Sequence, residues 1–86
     1  RPDVLGGISM GLLSTKDYNI LANAMRRGEE IVVERTLCST SVVAKTCRVA
    51  YPWQVPMIIQ VRVTKGGFFW VQNFESVEEA RRNVDV

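Results

Sequence analysis

The hydrophobic period of the chain changes at Gly28, and this change constrains the fold more than any other feature. Before it, one set of apolar side chains recurs at the spacing of a single helix face: Tyr18, Leu21, Ala22 and Met25. After it come four segments rich in β-branched and aromatic residues, at positions 30–37, 42–51, 57–64 and 68–74. The sequence therefore predicts one helix followed by four strands.

Local signals give the bounds of the first helix and predict a second one. Ser14 is a natural N-cap residue and Gly28 supplies a left-handed stop, so the first helix is expected from Thr15 to Arg27. Ser76, with Glu79 three positions later, has the spacing of a capping box. A short C-terminal helix is therefore expected to begin at Ser76.

The strand pattern is clearest from Met57 to Thr64, where apolar residues occupy alternate positions: Met57, Ile59, Val61 and Val63. Glycine tolerates the positive φ of hairpin turns, so Lys65-Gly66-Gly67 predicts a tight turn to the last strand. Trp70 then lies on the core side of the sheet. Ser39-Thr40-Ser41 is expected to be the turn between the first two strands.

Together these elements predict an α+β fold with an N-terminal helix, a four-stranded antiparallel meander sheet and a short C-terminal helix in two layers. Two independent cores would each be too small in 86 residues, so we expect a single domain over residues 1–86. Residues 1–13 form an N-terminal arm in this scheme. Its apolar stretch, residues 4–13, is too short for a transmembrane helix, which takes about 20 residues.

The two cysteines, Cys38 and Cys47, fall in neighbouring predicted strands and could face each other as a disulfide across the hairpin. Direct pairing would place Val42-Val43 at the hairpin tip, where β-branched residues are unfavourable, so a wider loop or bulge would be needed. The alternative is two reduced cysteines that pack as small hydrophobic residues. The disulfide interpretation implies an oxidising compartment, and hence a secreted or periplasmic protein.

The residue types present leave little catalytic chemistry. The chain contains no histidine, which removes the commonest general base and the usual Ser-His and Cys-His nucleophile pairs. Two cysteines cannot complete a structural zinc site, and Glu78-Glu79 is better explained as a favourable charge at a helix N-terminus. We therefore expect no enzyme activity, no catalytic residues, no metal and no cofactor.

One predicted surface lies on the second face of the sheet. Ile58, Arg62, Phe69 and Val71 share this face, and aromatic and Arg side chains are enriched at protein-binding hot spots. The alternative is that the arm at residues 4–13 covers the face. A second candidate is Trp53, which Pro52 and Pro56 would hold in an extended tip, or which could fold back onto the core.

A different function class follows from the charge pattern. The centre of the chain carries bases without acids, and four of these bases could form a basic sheet face: Arg35, Arg48, Arg62 and Lys65. With Phe69 as a stacking platform, such a face suits single-stranded nucleic acid. The commoner explanation of the same pattern is a solvated sheet surface balanced by neighbouring acidic helix ends.

The leading hypothesis from sequence is a small secreted or periplasmic protein-binding domain that acts as an inhibitor, effector or toxin-like partner and is not catalytic. The chain begins with Arg1-Pro2 and not with Met, so we expect either a processed product or a trimmed chain; processing would agree with export. The alternative is a nucleic-acid-binding module. The partner is expected to be another protein of unknown identity, with no membrane span, and a dimer through an edge strand stays open.

Overall fold

The computed structural model describes residues 12–48 and 57–85. Within these ranges the elements are α1 (Thr15–Arg27), β1 (Val32–Leu37), β2 (Thr40–Arg48), β3 (Met57–Lys65), β4 (Phe68–Phe74) and α2 (Val77–Asn83). The strands form one antiparallel sheet in the order β1-β2-β3-β4. Both helices contribute buried residues to a core on the same side of this sheet. The predicted α+β architecture is confirmed.

The first helix has the predicted bounds because its two caps are formed. The Ser14 hydroxyl accepts the Asp17 backbone N–H at 3.1 Å, and the Asp17 carboxylate accepts the Ser14 N–H at the same distance. Gly28 ends the helix in the left-handed conformation with φ 71°. Leu21 and Ala24 lie fully buried on the face that packs on the sheet. The helix is thus fixed at both ends and anchored along one side.

Asp17 also joins α1 to the edge strand β1. Its two carboxylate oxygens accept hydrogen bonds from Arg35, at 2.6 Å from Nη2 and 3.1 Å from Nε. Burial alone would raise the pKa of Asp17, but the hydrogen bonds from Ser14 and Arg35 and the Arg35 charge together lower this pKa below its ordinary value. The carboxylate is therefore ionised, buried and paired.

The registers of β2 and β3 place alternate side chains in the core. Val42 pairs with Val63 and Ala44 with Val61, and all four are buried. Farther along β2 the inward position holds Thr46 instead of an apolar residue. Its hydroxyl donates to the Glu29 carbonyl at 2.7 Å and accepts the Ile31 N–H at 2.9 Å, so this buried polar group is fully satisfied.

The turn between β3 and β4 consists of Gly66 and Gly67, which have φ of 59° and 88°. Two successive positive φ values are the signature of the hairpin turn that glycine favours. Lys65 then pairs with Phe68, and Trp70 pairs with Val63 on the core side, as predicted.

The C-terminal helix begins after Ser76, whose hydroxyl accepts the Glu79 N–H at 3.1 Å. Only half of the predicted capping box forms, because the Glu79 carboxylate accepts the Glu75 N–H instead of the Ser76 N–H. Ala80 is fully buried against the core. None of the helices in the described ranges is long and apolar enough to cross a membrane.

The predicted disulfide between Cys38 and Cys47 is wrong, because both cysteines are free. The β1–β2 turn is Cys38-Ser39 rather than residues 39–41, since Leu37 pairs directly with Thr40. Cys38 therefore sits at the turn, while Cys47 lies near the other end of β2, seven residues beyond Thr40. At 3.3 Å per residue this is roughly 23 Å, far beyond the about 7 Å Cα separation that a disulfide allows.

Cys38 occupies a turn position with φ 56°, where a side chain carrying a Cβ is strained. We expect Cys38→Gly to raise the free energy of unfolding by about 0.5–1 kcal/mol, because glycine adopts positive φ without that cost. Urea denaturation followed by circular dichroism measures the change, with Cys47→Ala as the comparison. Losses of about 2.5–3 kcal/mol in both variants would instead indicate a disulfide.

Candidate functional site

The helices leave the second face of the sheet without a covering layer among residues 12–48 and 57–85. We call this surface the open face. It is formed by the outward positions of the four strands: Val32, Glu34 and Thr36 of β1; Ser41, Val43, Lys45 and Cys47 of β2; Ile58, Gln60, Arg62 and Thr64 of β3; and Phe69, Val71 and Asn73 of β4. Each of the four strands thus contributes at least one apolar side chain to the open face.

Arg62 and Phe69 form the most defined feature of the open face. The Arg62 guanidinium carbon lies 4.6 Å from the centroid of the Phe69 ring, within the range of a cation–π interaction. Phe69 nevertheless remains 60% exposed. The contact orients a flat aromatic surface and a guanidinium side by side, and leaves both accessible to a partner.

A row that alternates valines with charged residues crosses the sheet through Arg62. Arg62 pairs with Val71 on β4 and with Val43 on β2, and Val43 pairs in turn with Glu34 on β1. Val71 is 46% exposed. Sequence reasoning missed Val43, although the inward positions of Val42 and Ala44 imply that the residue between them points outward.

Val32 and Lys45 are two further residues of the open face that the sequence-based prediction did not include. Val32 is an exposed apolar residue on β1, and it pairs with Lys45 on β2. Neither Lys45 nor Arg62 makes an ion pair with a described residue. Alternation along β1 and β2 shows that Val32 and Lys45 each share a face with every second residue of their strand. It does not show which of the two faces is buried, and only the register of the sheet gives that answer.

Of the predicted partner-binding residues, Arg62, Phe69 and Val71 lie together. Ile58 shares the open face but stands four residues from Arg62 along β3, at a distance of about 13 Å. It is half-buried and pairs with Cys47. Trp53 lies outside the described residues.

The predicted basic face does not form, because its four cations are divided between the two sides of the sheet. Arg35 points to the helix side and pairs with Asp17, and Arg48 points to the same side, where Nη2 donates to the Gly28 carbonyl at 2.7 Å. Lys65 follows the inward register at the hairpin end. Arg62 alone of the four is on the open face.

The described residues hold no group of three or more potential metal ligands from His, Cys, Asp and Glu. A cleft of about 350 Å³ between α1 and α2 is lined by charges of both signs, including Arg26, Arg81, Glu75 and Glu78. The hydroxyl in this cleft belongs to Ser76 and is engaged in capping α2. Three of the large hydrophobic residues that are exposed in the described ranges, Val32, Phe69 and Val71, lie on the open face.

Comparisons of the chain with protein-family models, with curated proteins and with solved structures find no match.

Proposed function

We propose that this domain is a protein-binding module and that its open face is the binding surface. The observation that carries the proposal is the exposed Phe69 ring, held beside Arg62 on a rigid four-stranded sheet. Aromatic and Arg side chains supply much of the energy at protein interfaces, and a rigid sheet loses little entropy on binding. A non-catalytic role is part of this proposal.

The charges on the open face define the partner that it fits. Lys45 and Arg62 stand among apolar side chains, and Glu34 is the acid on the described part of this face. A partner surface with apolar side chains around one or two carboxylates would cover the valines and neutralise the two cations. We therefore expect an apolar, acidic protein surface as the partner.

An inhibitor, an effector and a toxin-like protein could all use such a surface, and the proposal covers these roles without choosing among them. The expectation of a secreted or periplasmic location depended mainly on the disulfide. Because the thiols are free, the geometry supplies no support for that location. The proposal therefore concerns the binding surface alone.

We expect Phe69→Ala to weaken binding to the partner protein at least about 10-fold, because it removes the exposed ring and the platform under Arg62. The partner is first isolated on immobilised domain and identified by mass spectrometry. Its affinity for each purified variant is then measured by calorimetry. Arg62→Glu should weaken an acidic partner further, because it reverses the charge at the centre of the surface.

Leu37→Ala is the matched control, because Leu37 is 62% exposed and lies outside the open face at the end of β1. Equal affinities for wild type, Phe69→Ala and Leu37→Ala would overturn the proposal. Binding of a single-stranded oligonucleotide that weakens steeply with salt and is lost in Phe69→Ala would also overturn it, in favour of nucleic-acid binding.

A further inference from the structure

The edge strand β4 carries no charged residue and no proline along its whole length, Phe68–Phe74. Its pairing with β3 is continuous, so no bulge twists the strand away from an approaching chain. Phe68, Phe69 and Val71 are all exposed large hydrophobic residues. Natural edge strands usually carry a charge, a proline or a bulge that prevents pairing with another strand. This edge has none of the three.

The backbone groups that β4 offers can be assigned from the hairpin. A two-residue turn is closed by a hydrogen-bonded pair, here Lys65 with Phe68, and such pairs alternate along an antiparallel ladder. Phe69, Val71 and Asn73 therefore direct their N–H and C=O groups away from β3. No turn or loop backbone in residues 12–48 and 57–85 hydrogen-bonds to these three residues.

The opposite edge of the sheet is protected. β1 carries Glu34 and Arg35 at its centre, and the Arg35 guanidinium donates to the Glu34 carbonyl at 2.8 Å. By the same alternation this carbonyl is one that points away from β2. A strand approaching β1 would meet the charges of Glu34 and Arg35 and a Glu34 carbonyl that already accepts a hydrogen bond. The β1 edge is therefore less able than the β4 edge to pair with another strand.

We propose that β4 pairs with β4 of a second copy, in antiparallel orientation about a twofold axis, to give a continuous eight-stranded sheet. An uncharged strand is compatible with its own copy because no like charges come together. Full overlap of the seven residues places Val71 on the axis, opposite the partner copy's Val71. Phe69 then lies across from Asn73, and these pairs form six backbone hydrogen bonds.

Pairing with a second copy would also bring the exposed apolar side chains of the two copies together. Residues directly opposite in an antiparallel pair point to the same side of the sheet, so the two open faces join into one surface. The Phe69 and Val71 side chains of both copies then lie near its centre. This self-association uses the edge of the sheet, and it does not depend on the proposed binding of another protein through the face.

The test is the mass of the purified full chain by sedimentation equilibrium between about 1 µM and 1 mM, without any partner. Wild type is expected to dimerise within this range. Val71→Lys should raise the dimer dissociation constant at least 10-fold, because it brings two like charges together on the axis. Val32→Lys is the matched control, since Val32 is also an exposed valine but lies on the β1 edge, and it should leave the dimer unchanged.

Amide hydrogen exchange tests the same contact without a substitution. The amides of Phe69, Val71 and Asn73 should be protected at high protein concentration and exchange rapidly on dilution. A monomer at every concentration would overturn the proposal. So would a dimer that Val71→Lys and Val32→Lys weaken equally. Concentration-independent protection of these amides in a monomer would also overturn it, because the edge would then be covered by the same chain.

Discussion

Leu21→Ala is expected to lower the free energy of unfolding by about 3–4 kcal/mol, which is a large effect for a single truncation. Leu21 is fully buried where α1 crosses the sheet, and it belongs to the same cluster as Ile59 and Val61. Removing its isobutyl group leaves a cavity between two layers that α1 cannot close without leaving its caps at Ser14 and Gly28. Urea denaturation followed by circular dichroism measures the loss.

The size of this effect matters because small domains have total stabilities of about 5–15 kcal/mol. A loss of 3–4 kcal/mol would therefore bring a small domain close to its unfolding threshold at room temperature. Ile20→Ala is the control, because Ile20 is the adjacent residue, is 38% exposed and does not belong to the core cluster. It should cost less than about 1 kcal/mol. Similar losses for both variants would contradict the packing of α1 on the sheet.

Asp17→Ala is expected to lower the free energy of unfolding by about 2–3 kcal/mol. The substitution removes the carboxylate that accepts the Ser14 N–H, and it deprives Arg35 of both its hydrogen bonds to α1. Loss of a helix cap alone costs about 1 kcal/mol, and loss of a bidentate, largely buried partner adds to it. The result should be a less stable junction between α1 and the edge strand β1.

The same carboxylate predicts a pH dependence. Because folding lowers the pKa of Asp17, the folded state binds the proton less tightly than the unfolded state does. Its contribution to stability is therefore fully present above the unfolded pKa of about 3.9 and is lost as the pH falls through the lower folded value. Asp17→Asn should remove this component, so the difference between wild type and Asp17→Asn should shrink between about pH 5 and pH 2.

Glu78→Ala is the matched control for both measurements. Glu78 is also a carboxylate in the first turn of a helix, but it is exposed. Its loss should cost no more than about 0.5 kcal/mol. The geometry would be contradicted if Asp17→Ala is no more destabilising than Glu78→Ala, or if Asp17→Asn retains the acid-sensitive component. Either result would mean that the pair between the buried Asp17 carboxylate and the half-exposed Arg35 does not stabilise the fold.

Elements whose signals are local were predictable from the sequence. The bounds of α1 follow from Ser14, Asp17 and Gly28, which lie within the helix or next to it. The β3–β4 hairpin follows from Gly66-Gly67, because few other residue pairs adopt two positive φ values. The position of Trp70 on the core side then follows from the turn alone, since antiparallel pairing fixes every later pair.

The β1–β2 turn was predicted at residues 39–41, later in the chain than its position at Cys38-Ser39. A disulfide between Cys38 and Cys47 required a reversal still later, at Val42-Val43, which is continuous strand in the structure. Ser39-Thr40-Ser41 has turn-forming residues, whereas Cys38 with φ 56° is an unusual choice for a turn. A shift in the turn moves every cross-strand pair. Cys38 and Cys47, which were expected to face each other across the hairpin, are instead separated along the length of β2.

The candidate site shows the same division. Alternation within β3 and β4 placed Arg62, Phe69 and Val71 on one face, because a strand's side chains alternate whatever it pairs with. The basic face failed because the direction of Arg35 and Arg48 depends on which side of β1 and β2 the helices cover. The sequences of β1 and β2 do not indicate which side the helices cover.

Residue order alone therefore accounts for the helices, the glycine hairpin and the two faces of β3, since each depends on the backbone preferences of a few adjacent residues. The pairing of Asp17 with Arg35, the separation of the cysteines and the position of β4 at the edge of the sheet arise only when distant segments meet in one register. Register depends on the total burial of all strands at once, which no single segment of the chain contains.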